Sequence, residues 1–347
     1  MTIRITLRRV LLALLAAVLL ALAVGWSGAI NVAASSGHWK VTDWFLHWVM
    51  RNSVKTRSYW QAPEDAADPS GLVSAAGHFA LSCAGCHGAP GQRPSPVMQA
   101  ATPPAPDLAV NARQWTDRQL FWILDHGVKF SGMPAWPARG REDEIRRMVA
   151  FVRRLPGMSP GEYRRLSAAP FGMVGQGRFE GCAGCHGTDG RGRGQPDIPV
   201  LGGQRADYLL ASLRAYQTGH RHSAVMGNAV AALPPEALAP LARRFAALPG
   251  LGGSHAGTGD KAAWRIIRKG LPERELPACV SCHAAGKRYP VLDGQKASFL
   301  AARLRRWRGA EETVDARKSH ATMPVIARRI PEDMIDRIAK AYAASGD

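Results

Sequence analysis

The chain has 347 residues, enough for two or three domains of ordinary size. Hydrophobic residues make up 46% and charged residues 21%, which excludes a disordered chain, and 36 Gly with 24 Pro mark many loops without low complexity. The formal net charge of +18 favours an acidic partner, whether protein, lipid headgroup or nucleic acid, and says nothing about fold.

Arg4, Arg8 and Arg9 precede an uncharged run from Val10 to Gly37, whose core, Val10 to Val24, is almost wholly Leu, Ala and Val. Extended to Ile30, the run predicts a transmembrane helix, which needs about 20 apolar residues. It exceeds the apolar stretch of a cleaved signal peptide, about 7–15 residues, so residues 1–37 are expected to form a retained anchor, with a signal peptide as the alternative. By the positive-inside rule the arginines put the bulk of the chain in the periplasm, behind a single N-terminal span in the cytoplasmic (inner) membrane.

Residues 38–69 hold an aromatic and basic segment. Trp44 and Trp48 are four apart, as are Phe45 and Val49, which predicts one aromatic helical face, with Arg51, Lys55 and Arg57 following. Such a helix lies at the membrane interface or packs on the first globular domain or a partner subunit.

An internal repeat organises the rest. CAGCH occurs at 83–87 and 182–186 and CVSCH at 279–283, with first cysteines 99 and 97 residues apart. Three units of just under 100 residues are expected, at 70–157, 165–250 and 258–347, with linkers near 156–172 and 250–258. A helix is predicted before each Cys pair, over 72–82, 173–181 and 260–269, carrying Phe79, Phe179 and Trp264. Another is predicted at the end of each copy, over 142–155, 235–248 and 331–343, carrying Phe151, Phe245 and Tyr342. Thr116-x-x-Gln119 is a capping-box start for a helix through Asp125. No sustained strand alternation follows residue 60, so the fold class is all-α.

CxxCH is the signature of covalent c-type haem attachment. Cys83 and Cys86, Cys182 and Cys185, and Cys279 and Cys282 are all six cysteines of the chain; as thioethers they would anchor three haem c groups. His87, His186 and His283 are then proximal iron ligands. Zinc is the competing reading, but it wants four N or S ligands, and these pairs lie about 97 residues apart, each in its own repeat. For the opposite face of each iron, Met133, Met226 and Met323 stand before the last helix of their copies, two of them followed by a stiffening Pro. Competitors are His126, His220, His222 and His320. A proximal His usually donates its second ring N–H to a backbone carbonyl; the loops at Pro106, Pro199 and Pro290, which follow the three histidines by 19, 13 and 7 residues, are candidates.

With these motifs the chain over about 70–347 resembles the class I c-type cytochromes, as three tandem cytochrome c domains after the N-terminal transmembrane helix. Residues from about 165 onward, with PVLGGQ before Tyr208 and PVLDGQ before Phe299, resemble the di-haem cytochrome c4 family. The first copy, with FWILDHGVKFSGMPAW, is similar to mono-haem bacterial cytochromes. Ala284 departs from the pattern, standing where Gly88 and Gly187 stand in the other copies, and the segment before Met323 is long and polar.

The resemblance implies buried haems and electron transfer without substrate chemistry. The expected function is a membrane-anchored tri-haem electron carrier; the alternatives are a permanent cytochrome subunit of a dehydrogenase or oxidase complex and a di-haem-type peroxidase. The expected partners are redox proteins with acidic docking faces, such as a dehydrogenase, a quinol-oxidising complex or a terminal oxidase. Nucleic acid is set aside because the chain is exported.

Overall fold

The uncharged Leu, Ala and Val run forms helix α1 (Leu7–Trp26), exposed along its whole length. It is long and apolar enough to cross a membrane. Helix α2 (Lys40–Gln61) follows. The computed structural model describes residues 6–167, 178–252, 259–284, 286–309 and 322–344.

Helix α2 divides by face and by length. Val54 and Ser58 are buried against helix α4 (Asp117–His126) of the first copy. Trp122 Nε1 donates to Gln61 Oε1 at 2.7 Å, and Arg118 donates to the carbonyls of Tyr59 and Ala62. The aromatic face points elsewhere: Trp39, Trp44, Phe45, Trp48 and Trp60 are all at least half exposed. The helix thus docks on the first domain by its C-terminal half and leaves its aromatic side open.

Three separate apolar cores follow, one per copy. The first lies among α3 (Leu72–Ser82), α4 and α5 (Glu142–Arg154). Helix α4 starts at the expected capping box, with Thr116 and Gln119 bonding reciprocally. Helix α6 (Pro160–Ser167) stands in the first part of the linker expected at 156–172, and 168–172 lie outside the described residues. It packs on α3, and its Tyr163 is buried against Phe79 and Phe151, each at 6.3 Å between ring centroids. Pro, Gly and Ser at its start read as a loop; the Tyr anchor overrides them. Met158, expected in that linker, is buried in the same core.

The second core is built by α7 (Arg178–His186), α8 (Ala206–Gln217), α9 (Ala224–Ala231) and α10 (Pro235–Ala246). The expected helix at 173–181 is described from Arg178 and runs on to His186; 173–177 lie outside the described residues. The third core is built by α11 (Lys261–Lys269), α12 (Ala297–Arg308), α13 (Thr322–Arg329) and α14 (Glu332–Ala343). The start of the second expected linker is fixed: Leu251 is buried and its N–H donates to Gly202 O at 2.7 Å. Residues 253–258 lie outside the described residues.

The same crossing recurs in each core. Phe79 meets Phe151 at 5.4 Å, Phe179 meets Phe245 at 4.7 Å, and Trp264 meets Tyr342 at 6.3 Å. Each pair joins the helix that precedes or contains the Cys motif to a later helix of the same copy, α5, α10 or α14, and such ring pairs add about 0.5–1.5 kcal/mol beyond their buried area. No β-strand occurs among the described residues, only two isolated bridges. The fold is all-α.

Candidate haem-attachment sites

Positions i, i+3 and i+4 of a helix share one face, which is the spacing of CxxCH. The structure supplies the helix in each copy. His87 N–H donates to Cys83 O and His283 N–H to Cys279 O, both at 2.9 Å, and the second motif lies inside α7. Two thiols and one imidazole therefore issue from one turn three times over. Burial pushes the Cys83 thiol up to about 12, with Cys86 adding to the shift, and pushes Cys182 and Cys279 to about 11. They are neutral thiols at physiological pH. Among the described residues no group of three or more His, Cys, Asp and Glu converges as metal ligands.

The imidazoles are prepared for ligation. His87 Nδ1 lies 2.8 Å from Pro106 O, and His283 Nδ1 lies 3.0 Å from Pro290 O. A carbonyl only accepts, so Nδ1 carries the proton and Nε2 keeps its lone pair. Burial lowers all three histidines, most at His186, to about 4; there Lys296 lowers it further and the Pro199 carbonyl opposes. Pro199 acts on His186 without completing a hydrogen bond, because His186 Nδ1 is buried with no partner in bonding geometry.

Two of the three methionines reach the expected cores. Met133 packs against the core that bears Cys83, and Met226 against the one that bears Cys182. Gly127, at φ +67°, makes room for the Met133 backbone: a Cβ there would meet Met133 O at 2.6 Å. Met226 is in the first turn of α9, where Ser223 caps the helix and accepts from Met226 N–H at 3.1 Å. Met323 is half-buried, the second residue of α13. Of the competitors, His126 stacks on Trp122 at 4.8 Å with its side chain 44% exposed, and His220 pairs with Thr218 Oγ1 at 2.7 Å. His222 has its Nδ1 buried without a partner, and His320 lies outside the described residues.

Ala284 has a local explanation. Gly88 and Gly187 leave their motifs at φ +69° and +78°, which an L side chain resists, whereas Ala284 is extended at φ −76°, ψ 163°. The third chain path leaves its motif in a different direction, so no glycine is needed.

The sites are not isolated from one another. Helices α7 and α9 of the second copy both pack on α3 of the first. At Gly77 a Cβ would stand 3.1 Å from Cys185 Sγ, so the missing side chain admits the second motif against the helix that leads to the first. Between copies two and three, Gln295 bonds both the N–H and the C=O of Val200 at 3.0 Å. Gln204 does the same to Val291, at 3.0 and 3.1 Å. Lys296 Nζ donates to Gln195 O at 2.6 Å and Ile198 O at 2.7 Å, capping the loop before Pro199. The roles of Gln204, Gln295 and Lys296 escape motif reading, although the paired GGQ and DGQ blocks mark the two glutamines as repeated.

Paired half-buried thiols on one helical turn, imidazoles whose Nδ1 is held by a backbone carbonyl at two of the three motifs, and a glycine that clears a thiol's path fit a covalently held haem. The family model for cytochrome c oxidase, cbb3-type, subunit III matches residues 72–152, and the cytochrome c family model matches residues 174–244. The chain is 33% identical over 175 residues to a thiosulfate dehydrogenase electron acceptor of Stutzerimonas stutzeri, covering 48% of this chain and 79% of that one. It is 30% identical over 165 residues to cytochrome c4 of Stutzerimonas stutzeri, covering 43% and 77%. The crystal structure of reduced recombinant cytochrome c4 from Pseudomonas stutzeri superposes with a TM-score of 0.41 at 26% identity, covering 47% of this chain and 92% of that one.

The chain belongs to the class I c-type cytochromes, which are electron-transfer proteins binding haem c. Within that class it is similar to the di-haem cytochrome c4 proteins, and it carries three CxxCH motifs.

Proposed function

We propose that this chain is a membrane-tethered periplasmic carrier of single electrons, with one covalent haem c in each of three domains. The observation that carries the reading is the threefold recurrence of two half-buried thiols and an imidazole on one helical turn, each against its own core. Cys83 with Cys86, Cys182 with Cys185, and Cys279 with Cys282 would hold the three haem groups as thioethers. His87 with Met133, His186 with Met226, and His283 with Met323 would be the side chains that ligate the three irons. Bound in this way, haem c supplies reversible one-electron exchange at its iron, at a potential that the thioether ligand raises. The protein's own part would be to supply an imidazole and a thioether to each iron, so that electron exchange needs no substrate site. Pro106 and Pro290 fix the imidazole planes and raise their basicity through Nδ1–H. The first domain, expected over 70–157, then extends to Ser167 through α6, which packs on α3; the second, expected over 165–250, begins after that helix, and the third spans 258–347.

A net charge of +18 suits acidic docking faces on its partners. The naming of one relative as the electron acceptor of a thiosulfate dehydrogenase supports a dehydrogenase as donor. A second reading is a permanent subunit of a dehydrogenase or oxidase. It is favoured by the match of residues 72–152 to an oxidase subunit and by the open aromatic face of α2, which would dock on the partner.

The deciding experiment is an absorption spectrum with haem quantitation on protein matured with its export and haem-ligation machinery. Three covalent low-spin haems per chain are expected, with the weak red band of methionine on ferric iron. A colourless chain, or one carrying zinc, overturns the reading. Stoichiometric co-purification with a flavin, quinoprotein or copper subunit favours the permanent-subunit form.

A further inference from the structure

We infer that Glu144 is a positioning residue that holds the methionine-bearing segments of the first and second copies together, an inference that rests on Met133 and Met226 being axial ligands. Glu144 lies in the first turn of α5, with its side chain 3% exposed. Oε1 accepts from Ser223 Oγ at 2.6 Å and pairs with Arg141 NH1 at 2.7 Å. Oε2 accepts from Ala224 N–H at 2.8 Å and from Trp136 Nε1–H at 3.3 Å. One buried carboxylate therefore receives four donors, and three of them sit on the two methionine segments.

Each connection to a methionine is short. Trp136 follows Met133 by three residues in the same loop, and its N–H is fixed to Asp125 O at 3.1 Å. Its ring packs on His78 at 4.9 Å, so the indole is held from both sides. On the second copy, Ser223 spends its proton on Glu144 and its lone pair on Met226 N–H. The carboxylate also stands at the N-terminus of α9, where negative charge is favourable. Arg141, the nearest cation, bonds Asp143 independently and donates to His222 O, the carbonyl just before Ser223. Arg141 pairs with Glu144, and among the described residues it reaches the two methionine segments through the Glu144 oxygens and that one carbonyl. A buried carboxylate with this many charge-assisted bonds fixes geometry more firmly than neutral pairs do.

The test uses the full-length holoprotein carrying Glu144→Gln, which keeps the shape and removes the charge and two acceptor sites. The expected result is loss of the red methionine-to-iron absorption from two of the three haems and a fall in their midpoint potentials, with the third haem unmoved. Trp136→Phe is expected to shift the first haem alone, and Ser223→Ala the second alone; both keep the buried carboxylate, so they carry the test if the Gln variant does not mature. Potentials and absorption unchanged in all three variants, or shifted equally at all three haems, overturn the inference. A wild-type spectrum lacking the red band for two haems overturns the ligand assignment, and this inference with it. A wild-type band that none of the three variants alters overturns the inference alone.

Discussion

Arg306 of the third copy donates to Asp143 of the first at 2.8 Å, so the outer repeats touch directly although the second lies between them in sequence. Asp143 also receives Arg141 at 2.8 Å and Arg147 at 3.0 Å. Arg147 in turn lies 3.8 Å from Asp197 of the second copy. The start of α5 is the place where all three copies meet.

Burial alone would raise the Asp143 pKa, but Arg141, Arg306 and Arg147 outweigh it and hold the carboxyl far below the ordinary carboxylate range. Its contribution to stability is therefore complete above the unfolded value of about 3.9 and is lost as pH falls from there toward the depressed folded value. Asp143→Asn is expected to destabilise the protein at pH 7 by about 3 kcal/mol, as when one partner of a buried pair is removed. The gap from wild type is expected to narrow below pH 4, by up to about 1.4 kcal/mol per pH unit. Urea unfolding at a series of pH values measures it, and a gap that stays constant from pH 7 to pH 3 contradicts the assignment.

The two glutamines between copies two and three make a second prediction. Gln295 and Gln204 each clasp the backbone of the valine that follows Pro199 or Pro290. Gln295→Ala leaves the buried N–H and C=O of Val200 unpaired, at about 1–3 kcal/mol for each lost partner. Gln295→Glu keeps an acceptor for the N–H but sets a carboxylate oxygen against the Val200 carbonyl, so it is not expected to rescue. Hydrogen exchange is expected to quicken at Val200 and Val291 in both variants and to stay slow in α3 and α5. Unaltered protection at Val200 would show that the clasp does not hold the two copies.

Within one copy, most of this arrangement was legible from the amino acids. Cys and His at i, i+3 and i+4 announce a shared helical face, and the aromatic residues singled out near the helix ends are those that meet as Phe79–Phe151, Phe179–Phe245 and Trp264–Tyr342. Between copies the text fails, for a physical reason. Glu144 sits in EDEIRR, where acidic residues in a first turn ordinarily face water. Only the docking of α9 onto α3 makes that position interior, and periodicity carries no record of which faces of separate domains meet. Helix α6 was hidden by its opening Pro and Gly, whose local preference Tyr163 overrides by burying its ring against Phe79.

His78 gives a prediction in the pH interval just above that of Asp143. It lies in α3, 3% exposed, with its ring on Trp136, and burial lowers its pKa to about 4. The folded protein keeps it neutral while the unfolded chain protonates it near 6.5, so its contribution is complete above 6.5 and lost as pH falls toward 4. The loss amounts to about 3 kcal/mol across that interval. His78→Phe is expected to flatten the stability profile between pH 6.5 and 4, measured by urea unfolding. A variant whose slope matches wild type over that interval would show that His78 does not titrate there.

The aromatic face of α2 gives the last prediction. Trp44 and Trp48 stack at 6.2 Å and are 64% and 53% exposed, with Phe45 beside them and Trp39 and Trp60 open at either end. Arg51 is engaged by Gln114, which fixes the turn after this patch to the first domain. A rigid helix presenting tryptophans and cations thus stands just after α1. Indole at the headgroup level, with basic side chains reaching lipid phosphate, is the arrangement that holds a helix at a membrane surface. A chain lacking residues 1–37 but carrying its haems is therefore expected to sediment with anionic lipid vesicles. Trp44→Ser together with Trp48→Ser removes apolar contact worth more than about 1.4 kcal/mol, so binding is expected to weaken at least about tenfold. High salt is expected to weaken it further, through Lys55 and Arg57. If the truncated chain stays in the supernatant at low salt, the lipid reading of this face fails, and a partner subunit becomes its occupant.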